Sequence, residues 1–167
     1  MGMTSLVRVL ALVWWLCLVS AGISQAQGPA AQSFPNLTLE LDGNVFAVTQ
    51  QVDGGIIIGG DFTHVNGVSR YGIARIQSNG SVDPIWDPRA FGVVYALAVG
   101  ADGSVYVGGL FSKVGAHFRE NLAKVSGESS GALDPQWNPG TNGEVYSLAV
   151  DSKGRVYAGG QFSSVGG

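Results

Sequence analysis

A tandem repeat of about fifty residues constrains this chain more than any other feature of its sequence. Glycine pairs recur at Gly59-Gly60, Gly108-Gly109 and Gly159-Gly160. Successive pairs are 49 and 51 residues apart, and a phenylalanine follows each pair after one intervening residue. Residues 43–76 also align with 92–125 without a gap. Because a unit of this length cannot bury its apolar face alone, the repeat predicts copies of one small structure stacked on each other.

Each repeat reads as short strands separated by turns. In the second repeat, Val94 to Val99 is apolar and β-rich, and Asp102-Gly103 is a two-residue hairpin signal. Further strands are predicted at 104–111, 121–126 and 132–137. Outside the first residues, no window has the 3.6-residue apolar period of a helix. Four short strands in each unit predict an all-β chain of tandem four-stranded β-propeller blades, an incomplete set of about two and a half repeats.

The composition agrees with stacked small sheets. Glycine makes up 26 of the 167 residues, which is more than twice the average share of about 7%. Charged residues make up 13% of the chain, which is about half the average of about 25%. Glycine suits tight turns and close sheet contacts, and faces that neighbours cover need few charges. The hydrophobic fraction of 46% excludes a disordered chain, because it supplies ample apolar material for a core. Glycine without a three-residue period excludes collagen.

The first residues are expected to be a secretory signal peptide. Arg8 precedes an eleven-residue apolar run, Val9 to Val19, and Ser24-Gln25-Ala26 is a small-x-small cleavage site. The alternative is an uncleaved membrane anchor, although a spanning helix needs about 20 apolar residues. Cleavage after Ala26 predicts an exported chain that is secreted, periplasmic or at the cell surface. The mature sequence holds no cysteine, so its stability must come from packing or assembly.

These boundaries divide the chain into a signal peptide, a leader segment and three repeats, the last of them partial. The segments are 1–26, 27–42, 43–91, 92–142 and 143–167. Propellers usually have four to eight blades, which is more than two and a half repeats supply. We therefore expect a fragment of a longer protein, and the alternative is a ring assembled from several short chains.

A combined pattern recurs in the repeats: G-G-x-F-[ST]-x-V, then [IL]-A-[RK]-[IV], D-P-x-W-x-P and V-Y-[AS]-L-A-V. Its first three parts lie at Gly59 to Val65, Ile73 to Ile76 and Asp83 to Pro88, and again at Gly108 to Val114, Leu122 to Val125 and Asp134 to Pro139. Over about residues 43–167 the chain resembles the bacterial delta-sixty repeat family and, more distantly, kelch propellers. The resemblance implies a β-propeller fold within long secreted or surface proteins, and it carries over no catalytic residue.

Four residues that recur between the repeats are candidates for a ligand or interface site: Trp86, Trp137, Arg70 and Arg119. Exposed aromatic faces stack on sugars, so one tryptophan in each repeat would suit a lectin, and it would equally suit packing between repeats. The arginines could bind anions, or they could be solvated loop charges or form structural hydrogen bonds between repeats.

We expect no catalytic, cofactor or metal site in this sequence. Asp83 and Asp87 could form a glycosidase acid–base pair, but the second copy has Asn138 in the second position, and Asp-Pro readily starts turns. The two histidines, His64 and His117, occupy different repeat positions, whereas zinc needs three or four convergent ligands.

The sequence is most typical of a non-enzymatic exported scaffold or binding surface for a protein or a glycan. The alternative is part of a propeller enzyme whose catalytic residues lie outside this segment. Expected partners are further repeats of the same chain or identical subunits, and a protein or glycan ligand. Loss of Arg8 with the leader leaves eight basic and twelve acidic side chains, a net charge of −4 without a basic cluster, so no nucleic acid partner is expected. Membrane contact is expected only through an uncleaved leader.

Overall fold

The computed structural model describes residues 6–8 and 38–166, and these residues form an all-β chain, which confirms the predicted class. The strands, numbered in chain order, are β1 (Leu6–Arg8), β2 (Thr38–Glu40), β3 (Val45–Gln50), β4 (Ile56–Gly60), β5 (His64–Val65), β6 (Val68–Ser69), β7 (Ile73–Ile76), β8 (Ala90–Val99), β9 (Val105–Val114), β10 (His117–Phe118), β11 (Leu122–Val125), β12 (Glu144–Val150) and β13 (Val156–Gln161). Within the described ranges no helix is long and apolar enough to cross a membrane.

Three small antiparallel sheets follow the three repeats. The first has the order β3-β4-β7, the second has β8-β9-β11 with β10 paired to the end of β9, and the third pairs β12 with β13. In each sheet the first strand of the repeat lies at one edge. Strand β8 also contacts both β3 and β12, so the three first strands run beside one another.

Backbone bridges extend the equivalence of the repeats beyond the sequence alignment. Leu41 pairs with Val65, Ala90 with Val114 and Thr141 with Val165. The first members of these pairs are 49 and 51 residues apart, the same intervals that separate the glycine pairs. The structural equivalence therefore begins two residues before position 43.

The predicted fourth strand at 132–137 does not form. Only an isolated bridge joins Leu133 to Val125, and Val82 makes the corresponding bridge in the first repeat. The carboxylate of Asp134 accepts hydrogen bonds from the N–H groups of Gln136 at 2.9 Å and Trp137 at 3.2 Å, which turns the chain away from the sheet. The intervening proline has no N–H to donate to a ladder.

The turn between β8 and β9 is one residue longer than predicted. Gly100 and Ser104 close it, because the Gly100 N–H donates to the Ser104 carbonyl at 2.9 Å. Gly103 adopts a left-handed φ of 78°, and Asp102 Oδ1 accepts the Ser104 N–H at 3.1 Å. A left-handed glycine in the last position is typical of a three-residue hairpin loop.

The β5–β6 hairpin was not predicted, although its signal is in the sequence. Asn66 has a φ of 50° and Gly67 a φ of 73°. Two left-handed residues in succession define a type I′ turn, for which Asn-Gly is the preferred pair. In the second repeat Gly115, with a φ of 56°, begins the corresponding turn between β9 and β10.

The largest apolar cluster lies where the first two repeats meet. Its buried members come from both repeats: Ile57, Ile73, Trp86, Ala90, Val94, Val105, Val107, Phe111, Val114, Ala123 and Val125. A second cluster covers the opposite face of the first sheet and includes Leu39 and Leu41. Burial of each large aliphatic side chain contributes about 1.5–3 kcal/mol, so stacking of one repeat on the next supplies a large share of the stability.

The predicted signal peptide lies outside the described residues except for Leu6–Arg8. This short strand, β1, pairs antiparallel with β2.

Candidate binding surface along the first strands

Three aromatic side chains, one from each repeat, form a row along the first strands. They are Phe46, Tyr95 and Tyr146, and their spacing of 49 and 51 residues makes them equivalent. The ring centroids of Phe46 and Tyr95 are 5.5 Å apart with planes at 52°, and those of Tyr95 and Tyr146 are 5.5 Å apart with planes at 57°. Tilted rings at this distance attract one another. We call these three residues the aromatic row.

A β-bulge positions each ring of the aromatic row. The strand register shifts between Val45 and Ala47, between Val94 and Ala96, and between Val145 and Ser147. The aromatic residue is therefore the additional residue of a bulge in every repeat. A bulge bends its strand and redirects a side chain, so three identical irregularities on neighbouring edge strands bring the rings together.

The aromatic row is accessible at both ends. Phe46 is 49% exposed and Tyr146 is 47% exposed, while Tyr95 between them is half-buried. Aromatic rings that keep one face in water while packing against a neighbour are typical of recognition surfaces.

Polar pairs stand beside the two outer rings. Asn44, two residues before Phe46 in the sequence, donates from Nδ2 to Asp61 Oδ2 at 3.0 Å. At the other end the Tyr146 hydroxyl donates to the Glu144 carboxylate, and it lies 3.4 Å from Gln161 Oε1. This hydrogen bond to Glu144 raises the pKa of Tyr146, so the hydroxyl stays protonated at neutral pH.

The corresponding positions beside Tyr95 are apolar. Val93 pairs with Leu110, and Leu110 is 45% exposed. The aromatic row therefore has an apolar centre and hydrogen-bonding groups at its ends. Such an arrangement can bind a ligand with an apolar face and polar edges.

The structure places Trp86 between the first and second repeats. Its side chain is fully buried, and Nε1–H donates to the Ser126 carbonyl of the next repeat at 2.8 Å. A Cβ on Gly131 would lie 3.0 Å from the indole, so the ring fills the space that this glycine leaves. Trp137 is half-buried and meets the Tyr106 ring edge-on at 5.1 Å. These positions correspond to the packing role considered for the tryptophans.

Both candidate arginines are buried and donate to backbone carbonyls. Arg70 Nη1 donates to Ser69 at 2.7 Å, and Nη2 donates to Asp83 at 2.6 Å. Arg119 repeats this arrangement, with Nη1 on Phe118 at 2.8 Å. Each guanidinium joins a short hairpin to the D-P-x-W segment of its own repeat, so these hydrogen bonds lie within a repeat and not between repeats. The four candidates occupy equivalent positions in the first and second repeats, and the structure does not gather them into one site.

Charged side chains form a repeated arrangement of one cation between two aspartates. Arg75 pairs with Asp53, and its Nε lies 3.8 Å from Asp83 Oδ2. In the second repeat Lys124 Nζ lies 3.5 Å from Asp102 and 3.6 Å from Asp134. Arg75 Nη1 also donates to the carbonyl of residue 127 in the second repeat at 3.0 Å. These charges hold turns and join repeats.

Asp83, considered above as one half of an acid–base pair, is a turn acceptor. Burial raises the pKa of Asp83, but hydrogen bonds from the N–H groups of Ile85 and Trp86, together with the charge of Arg75, outweigh it and lower the pKa. The carboxylate is therefore ionised at neutral pH. Across 6–8 and 38–166 no group of three or more His, Cys, Asp or Glu is arranged to hold a metal ion.

The aromatic row was missed by sequence reasoning, although part of its signal was present. Phe46 and Tyr95 are equivalent in the repeat alignment, and Tyr146 continues the series. Equivalence alone does not show that the rings touch, because the contact depends on bulges that no sequence pattern marks.

The chain was compared with models of known protein families. A family model described as "Domain of unknown function (DUF5122) beta-propeller" matches residues 51–84. The match supports a β-propeller repeat family. It spans the first glycine pair, β5 to β7 and Asp83. Neither a curated protein nor a solved structure matches the chain. A β-propeller repeat domain suggests a binding or scaffold role.

Proposed function

We propose that this chain is an exported, non-enzymatic scaffold of β-propeller blades that presents a binding surface for a protein or a glycan. The aromatic row carries this proposal. Each repeat contributes one ring at the same bulge, so the surface grows with the number of repeats. This is how a binding module is built, whereas a catalytic centre needs one place where the repeat pattern breaks into a polar cluster.

The repeated charges support a non-enzymatic role. Arg75 and Lys124 are held between aspartates, and Arg70 and Arg119 donate to backbone carbonyls. In these positions they stabilise turns and hairpins. The D-P-x-W segments and glycine pairs that organise these contacts are also the features that resemble the delta-sixty repeat, and that family occurs in long secreted or surface proteins.

A glycan array with matched aromatic variants tests the binding role. Tyr146→Ala removes an exposed ring from the aromatic row, and Phe118→Ala removes a ring that is 76% exposed on β10. We expect binding by the wild type and by Phe118→Ala, and at least about a tenfold loss with Tyr146→Ala, since burial of a large apolar side chain is worth about 1.5–3 kcal/mol. Equal binding by Tyr146→Ala and wild type would contradict the assignment. Trp137→Ala on the same array tests the half-buried indole as a ligand contact.

N-terminal sequencing of the exported product tests the proposed signal peptide. Cleavage after Ala26 predicts a product that begins at Gln27. This cleavage would also remove β1, the partner of β2. A membrane-bound product that keeps residues 1–26 would show instead that the leader is an anchor.

A further inference from the structure

A small polar pocket lies at one edge of the first sheet, beside the turn between β3 and β4. This turn is at the opposite end of β3 from Phe46, which is the second residue of the strand. The pocket has a volume of about 240 Å³, and its lining comes from the β3–β4 turn, from β7 and from the turn after β7: Asp53, Gly55, Arg75, Gln77, Ser78 and Asn79. All of the side chains that line it are polar, in contrast to the apolar centre of the aromatic row.

Two buried polar atoms beside this pocket lack a hydrogen-bond partner among the described residues. They are Gln51 Oε1 and Arg75 Nε. The other ends of these side chains are engaged, because Gln51 Nε2 and Arg75 Nη1 both donate to the Gly127 carbonyl, at 2.9 Å and 3.0 Å. Gln51 is 7% exposed. A buried acceptor without a donor is costly, so a bound group that supplies a donor here gains free energy.

Both unpartnered atoms face the open side of Gly55. A Cβ on Gly55 would lie 3.1 Å from Arg75 Nε and 3.4 Å from Gln51 Oε1. It would also lie 3.1 Å from Asp53 Oδ1. The space that this glycine leaves open is therefore surrounded by one N–H donor and two oxygen acceptors.

The second repeat does not keep this arrangement. Its residue equivalent to Gly55 is Ser104, and its residue equivalent to Gln51 is Gly100. The Ser104 hydroxyl donates to Asp102 Oδ2 at 2.9 Å. The second repeat thus fills this space with its own side chain and lacks the buried amide, so the pocket is a place where the first repeat departs from the pattern.

The charges around the pocket favour a neutral ligand. Arg75 forms an ion pair with Asp53, and its Nε also lies 3.8 Å from Asp83 Oδ2. Two carboxylates would repel an anion, and the guanidinium would repel a cation. A hydroxyl group is neutral and both donates and accepts hydrogen bonds. It can therefore satisfy Gln51 Oε1 and Arg75 Nε at the same time.

We propose that this pocket binds one neutral sugar unit through its hydroxyl groups. One hydroxyl enters the space over Gly55, where it donates to Gln51 Oε1 and accepts from Arg75 Nε. The exposed side chains of Ser78 and Asn79 bind neighbouring hydroxyls at the mouth. Pockets for drug-sized ligands measure about 300–1,000 Å³, so the smaller volume here suits a single sugar unit. The site uses no residue of the aromatic row, and either site can fail without the other.

Gly55→Ser closes the pocket with a residue that the chain already uses at the equivalent position. The backbone at Gly55 is not left-handed, and the groups that its side chain would meet are the ends of flexible side chains, so the fold can accept serine. Ser104→Gly is the matched control, because it makes the reverse exchange in the second repeat, where Gly100 supplies no amide. Circular dichroism checks the fold, and Gly55→Ala replaces Gly55→Ser if serine unfolds the sheet.

Titration of the ¹⁵N-labelled protein with D-glucose, D-galactose and D-mannose, followed by two-dimensional NMR, measures binding and locates it. We expect at least one of these sugars to shift the backbone amide signals of Gly55, Ser78 and Asn79. Gly55→Ser should weaken this binding at least about tenfold, the effect of losing hydrogen bonds to buried groups. Gln51→Met, which removes the oxygen but keeps the side-chain length, should do the same, and Ser104→Gly should keep the wild-type affinity.

Three results would overturn the proposal. The first is the absence of shifts at the pocket with all three sugars, and the second is equal affinity of the wild type and Gly55→Ser. Either would mean that the space over Gly55 holds only water. The third is a set of shifts confined to Phe46, Tyr95 and Tyr146, which would remove the pocket as a sugar site and support the aromatic row instead.

Discussion

Val94 of the second repeat lies directly over Gly59 of the first, with Val94 Cγ1 2.5 Å from where a Cβ on Gly59 would be. The second glycine of the pair has a different neighbour, because a Cβ on Gly60 would run into the Asn44 carbonyl of its own sheet. The two adjacent glycines thus serve two purposes. One admits the next repeat, and the other admits the backbone beside the bulge at Phe46.

Gly59→Ala is expected to lower the free energy of unfolding by about 1–3 kcal/mol, because the added methyl group overpacks the contact with Val94. Gly159→Ala is the matched control at the equivalent position, where Ser147 is the only near neighbour among residues 6–8 and 38–166, and it should change stability by no more than about 0.5 kcal/mol. Urea unfolding of both variants provides the comparison. Equal destabilisation by the two would contradict the role of Gly59 in admitting Val94 of the next repeat.

Gly160→Ala should destabilise the chain although Gly160 is exposed. Its Cβ would run into the Glu144 carbonyl on the paired strand, which cannot move away as a side chain could. We expect a loss of about 1–3 kcal/mol, in contrast to the neighbouring Gly159→Ala. Urea unfolding under the same conditions measures it, and a neutral result would show that the bulge can relax.

Trp86→Ala is expected to reduce the free energy of unfolding by about 3–5 kcal/mol. The indole is fully buried, and the variant also leaves the Ser126 carbonyl without its 2.8 Å hydrogen bond. Trp137→Ala serves as the comparison and should have a smaller effect, because its ring is half-buried. Urea unfolding of both variants measures the difference, and a denaturation midpoint for Trp86→Ala at or above that of Trp137→Ala would contradict the packing role of Trp86.

Stability should fall in acid partly because of Asp42. Burial raises the pKa of Asp42, but hydrogen bonds from the Thr63 hydroxyl and from the N–H groups of Thr63 and His64 outweigh it and hold the pKa well below 3.8. A lowered folded-state pKa means that the carboxylate stabilises the fold above about pH 4, and that this contribution is lost as the pH falls through the folded-state value.

Asp42→Asn should weaken this acid dependence while preserving the fold at neutral pH. The third repeat already has this residue, since Asn142 Oδ1 accepts N–H bonds from Ser163 at 2.9 Å and Ser164 at 3.0 Å. Thermal unfolding between pH 2 and pH 7 measures the difference between variant and wild type. Parallel pH profiles would show that another group controls acid stability.

Arg119→Met is expected to lower the free energy of unfolding by about 1–3 kcal/mol, because it removes the hydrogen bonds that the buried guanidinium donates to the carbonyls of Phe118 and Pro135. The residue is 8% exposed, so its loss should act on folding. Thermal unfolding with and without phosphate distinguishes this role from anion binding. Stabilisation of the wild type by phosphate that disappears in Arg119→Met would indicate an anion site instead.

The predictable parts of the fold depend on local signals. The apolar run at 94–99 and the glycine that ends the next turn, Gly103, predicted β8 and its hairpin, although Asp102 lengthened the turn by taking the Ser104 N–H. The Asn66-Gly67 turn was equally local and was overlooked. The predicted fourth strand at 132–137 does not form, because the Asp134 carboxylate accepts the backbone N–H groups of Gln136 and Trp137 that would otherwise pair with a neighbouring strand.

The candidate surface could not be predicted in the same way. Tyr95 is the additional residue of a bulge between Val94 and Ala96, both buried, and no local pattern in the sequence marks that bulge. The bulge adds one residue and reverses the alternation of faces from that point on. The contact between Phe46 and Tyr95 also depends on how two repeats stack, which is a property of the assembled sheets.

The contacts between repeats are directional, since each repeat places a valine on a glycine of the repeat before it, and this direction has a consequence for how the gene can change in length. An additional copy placed between two existing repeats would present a valine to the glycine before it and a glycine to the valine after it, as Val94 and Gly59 do now. Unequal recombination between repeats would therefore yield a chain that folds without compensating substitutions. Arrays of this kind can lengthen or shorten in one genetic event while every contact between neighbours stays the same.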